Sequence, residues 1–303
     1  MEKSLSAIRC VNLRLQNNPR LGLSLSTISP MSKLSKMPTP QNLLIVDDLS
    51  RYILKLKRAD GAAVVEIIKP KFTDLIACAS TKQSASLVSF ERLAADLLAK
   101  ISQLNFDIIL AVGNAGNDVA TELFRRADKK ILQLDVGRVF SKDKVAIQFF
   151  NKQSKELLSN KLEFLKQKNL LILDDTVFSG ETLKFIAKQL PPGPGSVVAA
   201  ALNGIEATRR NLVPDVFQTI IFGFELPGLP KEQSNTINLR DFFDPNGLRL
   251  DDGHSVALYK VDQWMQAWFG DAVGGNSTEA IRICKEIEAI LNANGVFVNR
   301  DLV

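Results

Sequence analysis

An open, mainly parallel α/β sheet with helices on both faces is the fold class this sequence predicts, joined to a small mixed α+β unit drawn from its N-terminal and C-terminal segments. Two observations carry the prediction. Apolar-rich runs, FDIILAVG (106–113), KKILQLDVGRV (129–139), NLLILDD (169–175), SVVAAALN (196–203) and QTIIFGFEL (218–226), recur between helical or polar stretches. Strands that are apolar on both faces are buried on both faces, which calls for helical crossovers over a parallel sheet. The second observation is the punctuation. GNAGNDVATELFRRA turns into a helix from about Asn117, Gly180 to Leu190 reads as another, and PPGPG (191–195) ends it because proline cannot continue a helix.

The remaining elements follow in order. Residues 1–40 are rich in Ser, Asn and Pro without a sustained period and read as a basic tail, with a targeting segment or translated upstream sequence (Met31 or Met37 as start) as alternatives. RYILKLKR (51–58) and AAVVEIIK (62–69) alternate around Ala59-Asp60-Gly61, the pattern of a β-hairpin. Leu87, Phe90, Leu93, Ala94, Leu97, Leu98 and Ile101 recur at helical spacing, predicting a helix over 86–104. A short strand is expected at 255–261 and an amphipathic helix at 278–292. The organisation expected is therefore a tail (1–40), a hairpin and helix (41–104), an α/β core (105–230) and a mixed C-terminal part (231–303).

Composition narrows the function classes. No apolar stretch approaches the roughly 18 residues of a membrane span. The formal charge of +5 comes wholly from residues 1–40, where Lys3, Arg9, Arg14, Arg20, Lys33 and Lys36 face one acid, Glu2. The rest is neutral, so the charge points to no nucleic-acid or membrane partner. Cys10, Cys78 and Cys284 have no metal-like spacing, and an odd, unclustered set fits a reducing compartment such as the cytoplasm. His254 is the only histidine, which excludes zinc sites built on several histidines.

One phrase occurs twice: NLLIVDDL at 42–49 and NLLILDDT at 169–176. After Asp47-Asp48 the chain enters LSRYILKLKR, with no glycine, and those acids are expected to end a strand at a solvent-exposed turn. After Asp174-Asp175 comes TVFSGET, which supplies small and hydroxyl side chains at the start of a helix. Free N–H groups at a helix start favour an anion, Gly180 allows close approach, and Ser179 and Thr182 can donate hydrogen bonds. Acids beside a phosphate site repel the phosphate itself, so they suit sugar hydroxyls or a Mg²⁺ shell. Together the parts read as recognition of a sugar phosphate.

Leu170–Thr182 resembles the phosphoribosyl pyrophosphate (PRPP) motif of the type I phosphoribosyltransferase family: a hydrophobic strand, two acids, three residues, then T/S-G-x-T. The resemblance implies a phosphoribosyltransferase-like fold. It implies that Asp174 and Asp175 bind the ribose hydroxyls and, directly or through water, Mg²⁺, while the loop of Thr176, Val177, Phe178, Ser179, Gly180, Glu181 and Thr182 wraps the 5′-phosphate. FDIILAVGNAGNDVA resembles the family's first core strand, making Gly113, Asn114, Ala115, Gly116 and Asn117 the pyrophosphate loop, with Asn114 and Asn117 where many members carry a base. Residues 138–152 take the place of the family's mobile loop, with Arg138, Lys142 and Lys144 as candidates to meet the leaving pyrophosphate. Phe178 stands where purine 6-oxo transferases carry an aspartate, so that subgroup's base chemistry is not supported. A hood that selects the base is expected from 42–80 and 240–303. The implied activity is transfer of the phosphoribosyl group from PRPP·Mg²⁺ to a nucleobase or related small-molecule acceptor, releasing pyrophosphate, in a protein that the family suggests is a homodimer. The alternative is a non-catalytic relative that binds PRPP or a nucleotide as a regulator or interaction module.

Overall fold

The structure is a computed structural model that describes residues 40–297, apart from 57–59, 81–82, 126, 128, 141–144, 161–164, 191–194, 213–216, 231–232, 251–252 and 271–274. The tail at 1–39 lies outside the described residues, as do Lys142 and Lys144. In chain order the strands are β1 (Asn42–Asp47), β2 (Ser84–Ser89), β3 (Ile108–Val112), β4 (Lys130–Leu134), β5 (Val136–Phe140), β6 (Val145–Phe149), β7 (Asn169–Val177), β8 (Ser196–Ile205), β9 (Thr219–Leu226), β10 (Ser234–Asn238), β11 (Leu248–Leu250) and β12 (Ser255–Val256). The helices are α1 (Leu49–Lys55), α2 (Gly61–Ser80), α3 (Phe90–Ile101), α4 (Gly113–Phe124), α5 (Lys152–Asn160), α6 (Glu181–Ala187), α7 (Glu206–Leu212), α8 (Leu239–Phe243), α9 (Asp262–Phe269) and α10 (Ser277–Ala293).

The core is a parallel five-stranded sheet in the order β4-β3-β7-β8-β9. Its central strand β7 is apolar on both faces because both are covered. Leu171 and Leu173 pack with α3 and α4 on one side, and Leu170 and Ile172 with Leu183 and Ile186 of α6 on the other. The α/β expectation is met here: two-sided burial wrote the continuous apolar runs.

The hood has its own parallel sheet, β10-β1-β2, and joins N-terminal to C-terminal sequence. Leu43 and Ile45 of β1 face a core built with α2, α8, α9 and α10, whereas Leu44 and Val46 face α3 and the main sheet. This explains the echoed phrase. Strands β1 and β7 are both central, and the same two-sided burial produced nearly the same residues.

The hairpin expected at 51–69 is instead two helices, α1 and α2. Val64, Val65, Ile68, Phe72, Leu75 and Ala79 are buried at spacings of three and four, so the apolar face continues well past the run that looked like a strand. An eight-residue alternation fits either period, and only its continuation decides. Residues 86–104 divide into β2 and α3, with Ser89 capping the helix by accepting from the Arg92 N–H at 3.3 Å. The run 129–139 is likewise two strands, β4 and β5, in different sheets. The break is at Asp135, whose N–H donates to Ser154 Oγ at 2.8 Å and whose carboxylate accepts from Asn151 at 3.0 Å. The strand expected at 255–261 shrinks to β12 followed by a 3-10 turn at Leu258–Lys260. Among the described residues no helix is long and apolar enough to cross a membrane.

Candidate functional site

The site forms at the carboxyl ends of β3 and β7, adjacent parallel strands in which Ala111 is in register with Leu173. One step beyond that register, β3 gives way to α4 and β7 presents Asp174 and Asp175. Gly116 seals the junction: a Cβ there would lie 2.5 Å from the Leu173 carbonyl oxygen and 3.3 Å from Asp174 Cα. The segment expected to hold pyrophosphate and the paired acids are thus in backbone contact.

That segment is not a loop. Gly113–Asn117 is the start of α4, with Gly113 at φ +62° making the sharp strand-to-helix transition that few other residues tolerate. Its first turn contains no acidic residue, and Asn114 Oδ1 accepts from Gln133 Nε2 at 2.8 Å.

Asp174 is buried, at 8 % exposure, and its Oδ1 accepts the Asp175 N–H at 2.9 Å. Burial first, then the Asp175 charge, push its carboxyl well above the usual range, while Arg138 acts in the opposite sense. Asp175 is half-buried and accepts a hydrogen bond from the side-chain amide of Asn238, at the end of β10. Thr176 Oγ1 accepts from Asn203 Nδ2 at 3.0 Å and from Asn238 Nδ2 at 3.2 Å.

The expected phosphate loop is shorter than its motif. Thr176 and Val177 are still in β7, and Val177 is core. Phe178 packs against the cluster between the sheet and α3, and its carbonyl accepts from Thr208 Oγ1 at 2.6 Å. Gly180, at φ +73°, caps α6, and a Cβ on it would lie 2.4 Å from Leu212 Cδ1, so packing on α7 as well as conformation requires glycine. Glu181 turns outward to Lys184 at 3.0 Å, which leaves the loop free of its charge, and Thr182 is half-buried in the first turn of α6. Ser179 is half-buried beside Gly180.

The region expected as a mobile loop, 138–152, is the antiparallel hairpin β5–β6 followed by the start of α5. The hood holds one side of it. Strand β11 pairs with β5, Phe140 meets Trp264 edge-on at 5.6 Å, and Arg249 lies 3.9 Å over the Phe150 ring. Arg138 lies mid-strand, opposite Ile147.

The acids of the first phrase are not at an exposed turn. Asp47 is buried, accepting from the Ser50 N–H at 3.0 Å and its hydroxyl at 2.8 Å as α1 begins. Asp48 accepts the Arg240 N–H at 2.8 Å. Burial, followed by the nearby Asp241 charge, holds Asp48 well above the ordinary carboxylate range, and Asp175 adds to that. Hood and core are clasped beside it by charge: Arg51 pairs with Glu122, Lys55 lies 3.7 Å from Asp118, and Arg240 lies 2.5 Å from Asp118. The crevice they enclose, lined by Val46, Asp48, Tyr52, Ala115, Asp175 and Leu202 among others, measures about 30 Å³, room for a water or two.

Residues 81–202 match the family defined by the phosphoribosyl transferase domain. Over that segment the chain is similar to a phosphoribosyl transferase domain. The matched segment runs from β2 through β8, earlier at both ends than the α/β core expected at 105–230, and includes the acid pair and α4. None of the curated proteins matches the chain in sequence. Among solved structures, it is similar to a purine phosphoribosyltransferase from Pyrococcus horikoshii Ot3 (21% identity, 48% of this chain and 86% of that one, TM-score 0.33). It is also similar to a Neisseria gonorrhoeae protein with bound ppGpp (16%, 49% and 85%, TM-score 0.38) and to an APRTase from Giardia lamblia complexed with 9-deazaadenine (15%, 45% and 78%, TM-score 0.33). These likenesses are distant, and the assignment rests on the domain match.

Sequence reading missed Asn203, Asn238, Arg240 and Asp48 as members of this constellation. Asn203 left one signal, a lone amide closing the otherwise apolar SVVAAALN. Asn238 and Arg240 left none, since β10 is a short, mixed run.

The charge crowd has a measurable consequence. Burial and then Asp175 push Asp241 up to about 7. A carboxyl raised in the folded state keeps a proton that the unfolded chain has lost, so stability falls as pH rises from about 4 to 7. Asp241→Asn removes that loss. Allowing for Asp241's partial contact with solvent, the variant is expected to gain about 1–2 kcal/mol at pH 7.5 and to show a flatter stability profile between pH 4 and 7. Denaturant titrations across that range check it, and parallel profiles for the two proteins count against it.

Proposed function

We propose that the phosphoribosyl transferase domain binds PRPP with Mg²⁺ and transfers its phosphoribosyl group to a nucleobase or related small-molecule acceptor, releasing pyrophosphate. The observation that carries this reading is the contact between α4 and β7 at Gly116, which sets the free N–H groups of the α4 start beside the carboxylates of Asp174 and Asp175. Within the matched domain, Asp174 and Asp175 accept hydrogen bonds from the ribose hydroxyls. Amides at the start of α4 meet the pyrophosphate, and those of Phe178–Thr182, with the Ser179 and Thr182 hydroxyls, meet the 5′-phosphate. Arg138, on β5, and Lys142 and Lys144 supply positive charge to the departing diphosphate.

The donors present fit a magnesium ion that arrives on the substrate. Among the described residues no group of three or more acidic, histidine or cysteine side chains forms a cage, and Mg²⁺ is commonly held by one or two carboxylates plus phosphate oxygens. Asp174 and Asp175 are the carboxylates that would hold it, directly or through water. When bound, the ion offsets the charge of the leaving diphosphate. The protein's own contribution is positioning and exclusion of water.

A second reading, a non-catalytic protein that binds PRPP or a nucleotide as a regulator, draws on one observation: Asn114 and Asn117 put no cation at the start of α4. A thermal-shift screen with PRPP·Mg²⁺, ribose 5-phosphate and nucleoside monophosphates tests both. At a PRPP concentration 100 times its dissociation constant the folded state gains about 2.7 kcal/mol, a shift of several degrees. No shift with any of them overturns both readings, and turnover against a panel of bases separates the two.

A further inference from the structure

We propose that Asn238, on β10 of the hood, is a positioning residue for Asp175, so that the hood sets the geometry of the ribose site. The inference rests on the role given to Asp175 above. The Asn238 amide N–H₂ bridges Asp175 Oδ2 and Thr176 Oγ1, the latter at 3.2 Å, and its carbonyl oxygen lies 3.5 Å from the same hydroxyl. On the opposite side Asn203, fully buried on β8, donates to that hydroxyl at 3.0 Å. The Thr176 oxygen lies nearer the Asn238 nitrogen than its carbonyl oxygen, in keeping with an amide whose N–H₂ faces both Thr176 and Asp175. Among the described residues Asn203 Oδ1 is buried without a hydrogen-bond partner, and the hydrogen bond that amide makes is to Thr176.

Charge explains why an amide is used. Asp175 lies within electrostatic range of Asp174, Asp48 and Asp241. A carboxylate among three others turns away from them unless a donor holds it. A neutral amide does so without neutralising the acid, leaving its charge for sugar hydroxyls or a metal ion. The residues that follow reach two other elements: the Arg240 N–H meets Asp48 at the end of β1, and its guanidinium meets Asp118 on α4. Three consecutive residues, Asn238 to Arg240, therefore join the hood to the acid strand and to the helix carrying the pyrophosphate segment.

The test is calorimetry of PRPP·Mg²⁺ binding to the full chain, carrying Asn238→Ala or the isosteric Asn238→Asp, at pH 8, with thermal melts to establish folding. Both variants are expected to lose about tenfold in affinity, N238D at least as much as N238A, because it keeps the shape of asparagine and replaces the donor on Asp175 by an acceptor. Affinities equal to the unsubstituted protein's overturn the inference and leave the proposed function standing. A loss in N238A with full affinity in N238D overturns it too, since shape alone would then account for the loss. If the unsubstituted protein itself binds no PRPP, the proposed function fails and the inference with it.

Discussion

Replacing Asp174 and Asp175 together by asparagine is expected to lower PRPP affinity at least 100-fold while the protein stays folded. Hydrogen bonds to charged groups contribute about 1.5–3 kcal/mol each, and the double variant weakens two acceptors and removes both charges available to a metal ion. The fold should tolerate it. Asparagine keeps the shape of aspartate, and the substitution removes repulsion between two adjacent carboxylates, one of them buried. A melting temperature unchanged or raised, with PRPP binding lost on calorimetry, is the expected pair of results. A folded double variant with unchanged affinity would remove the basis of the proposed function.

Gly116→Ala is expected to destabilise the protein by about 2 kcal/mol and to weaken PRPP binding as well. Alanine normally improves a helix interior by roughly 0.5–1 kcal/mol over glycine. Here its Cβ would lie 2.5 Å from a backbone oxygen of β7, which cannot rotate away as a side chain can. The helix must lift from the sheet, and such overpacking typically costs about 1–3 kcal/mol, against the helix gain. Lifting α4 also separates the pyrophosphate segment from the acids, so the two losses should appear together. Urea titration gives the first and calorimetry the second. Wild-type values for both would mean that α4 and β7 are not in the contact described.

The candidate site was legible where its residues are local: the acids, the glycine turn and the hydroxyls of 174–182 are neighbours in sequence. The conformation of Gly113–Asn117, the segment proposed to meet pyrophosphate, was not, because Gly-Asn-Ala-Gly reads as a turn until the start of a helix is seen on it. The contrast between the two aspartate pairs was half right. Only Asp174-Asp175 lies in the family's motif, yet Asp47-Asp48 is neither exposed nor without a following helix. Its helix began in a run whose alternation imitated a strand.

What the sequence by itself determined was the two-sided burial of the strands, and with it a parallel α/β core whose acid pair lies near the carboxyl end of a central strand. Hydrophobic runs and a nine-residue motif are enough for that, since each is a statement about neighbours along the chain. What only the tertiary structure decided was the company those acids keep. Asn238 lies 63 residues from Asp175, and Arg240 lies 192 from Asp48. Each is an ordinary polar residue in its own segment. A hydrogen bond between groups that far apart leaves no period and no local pattern, so the hood's hold on the acid pair appears only when β10 takes its place beside β1.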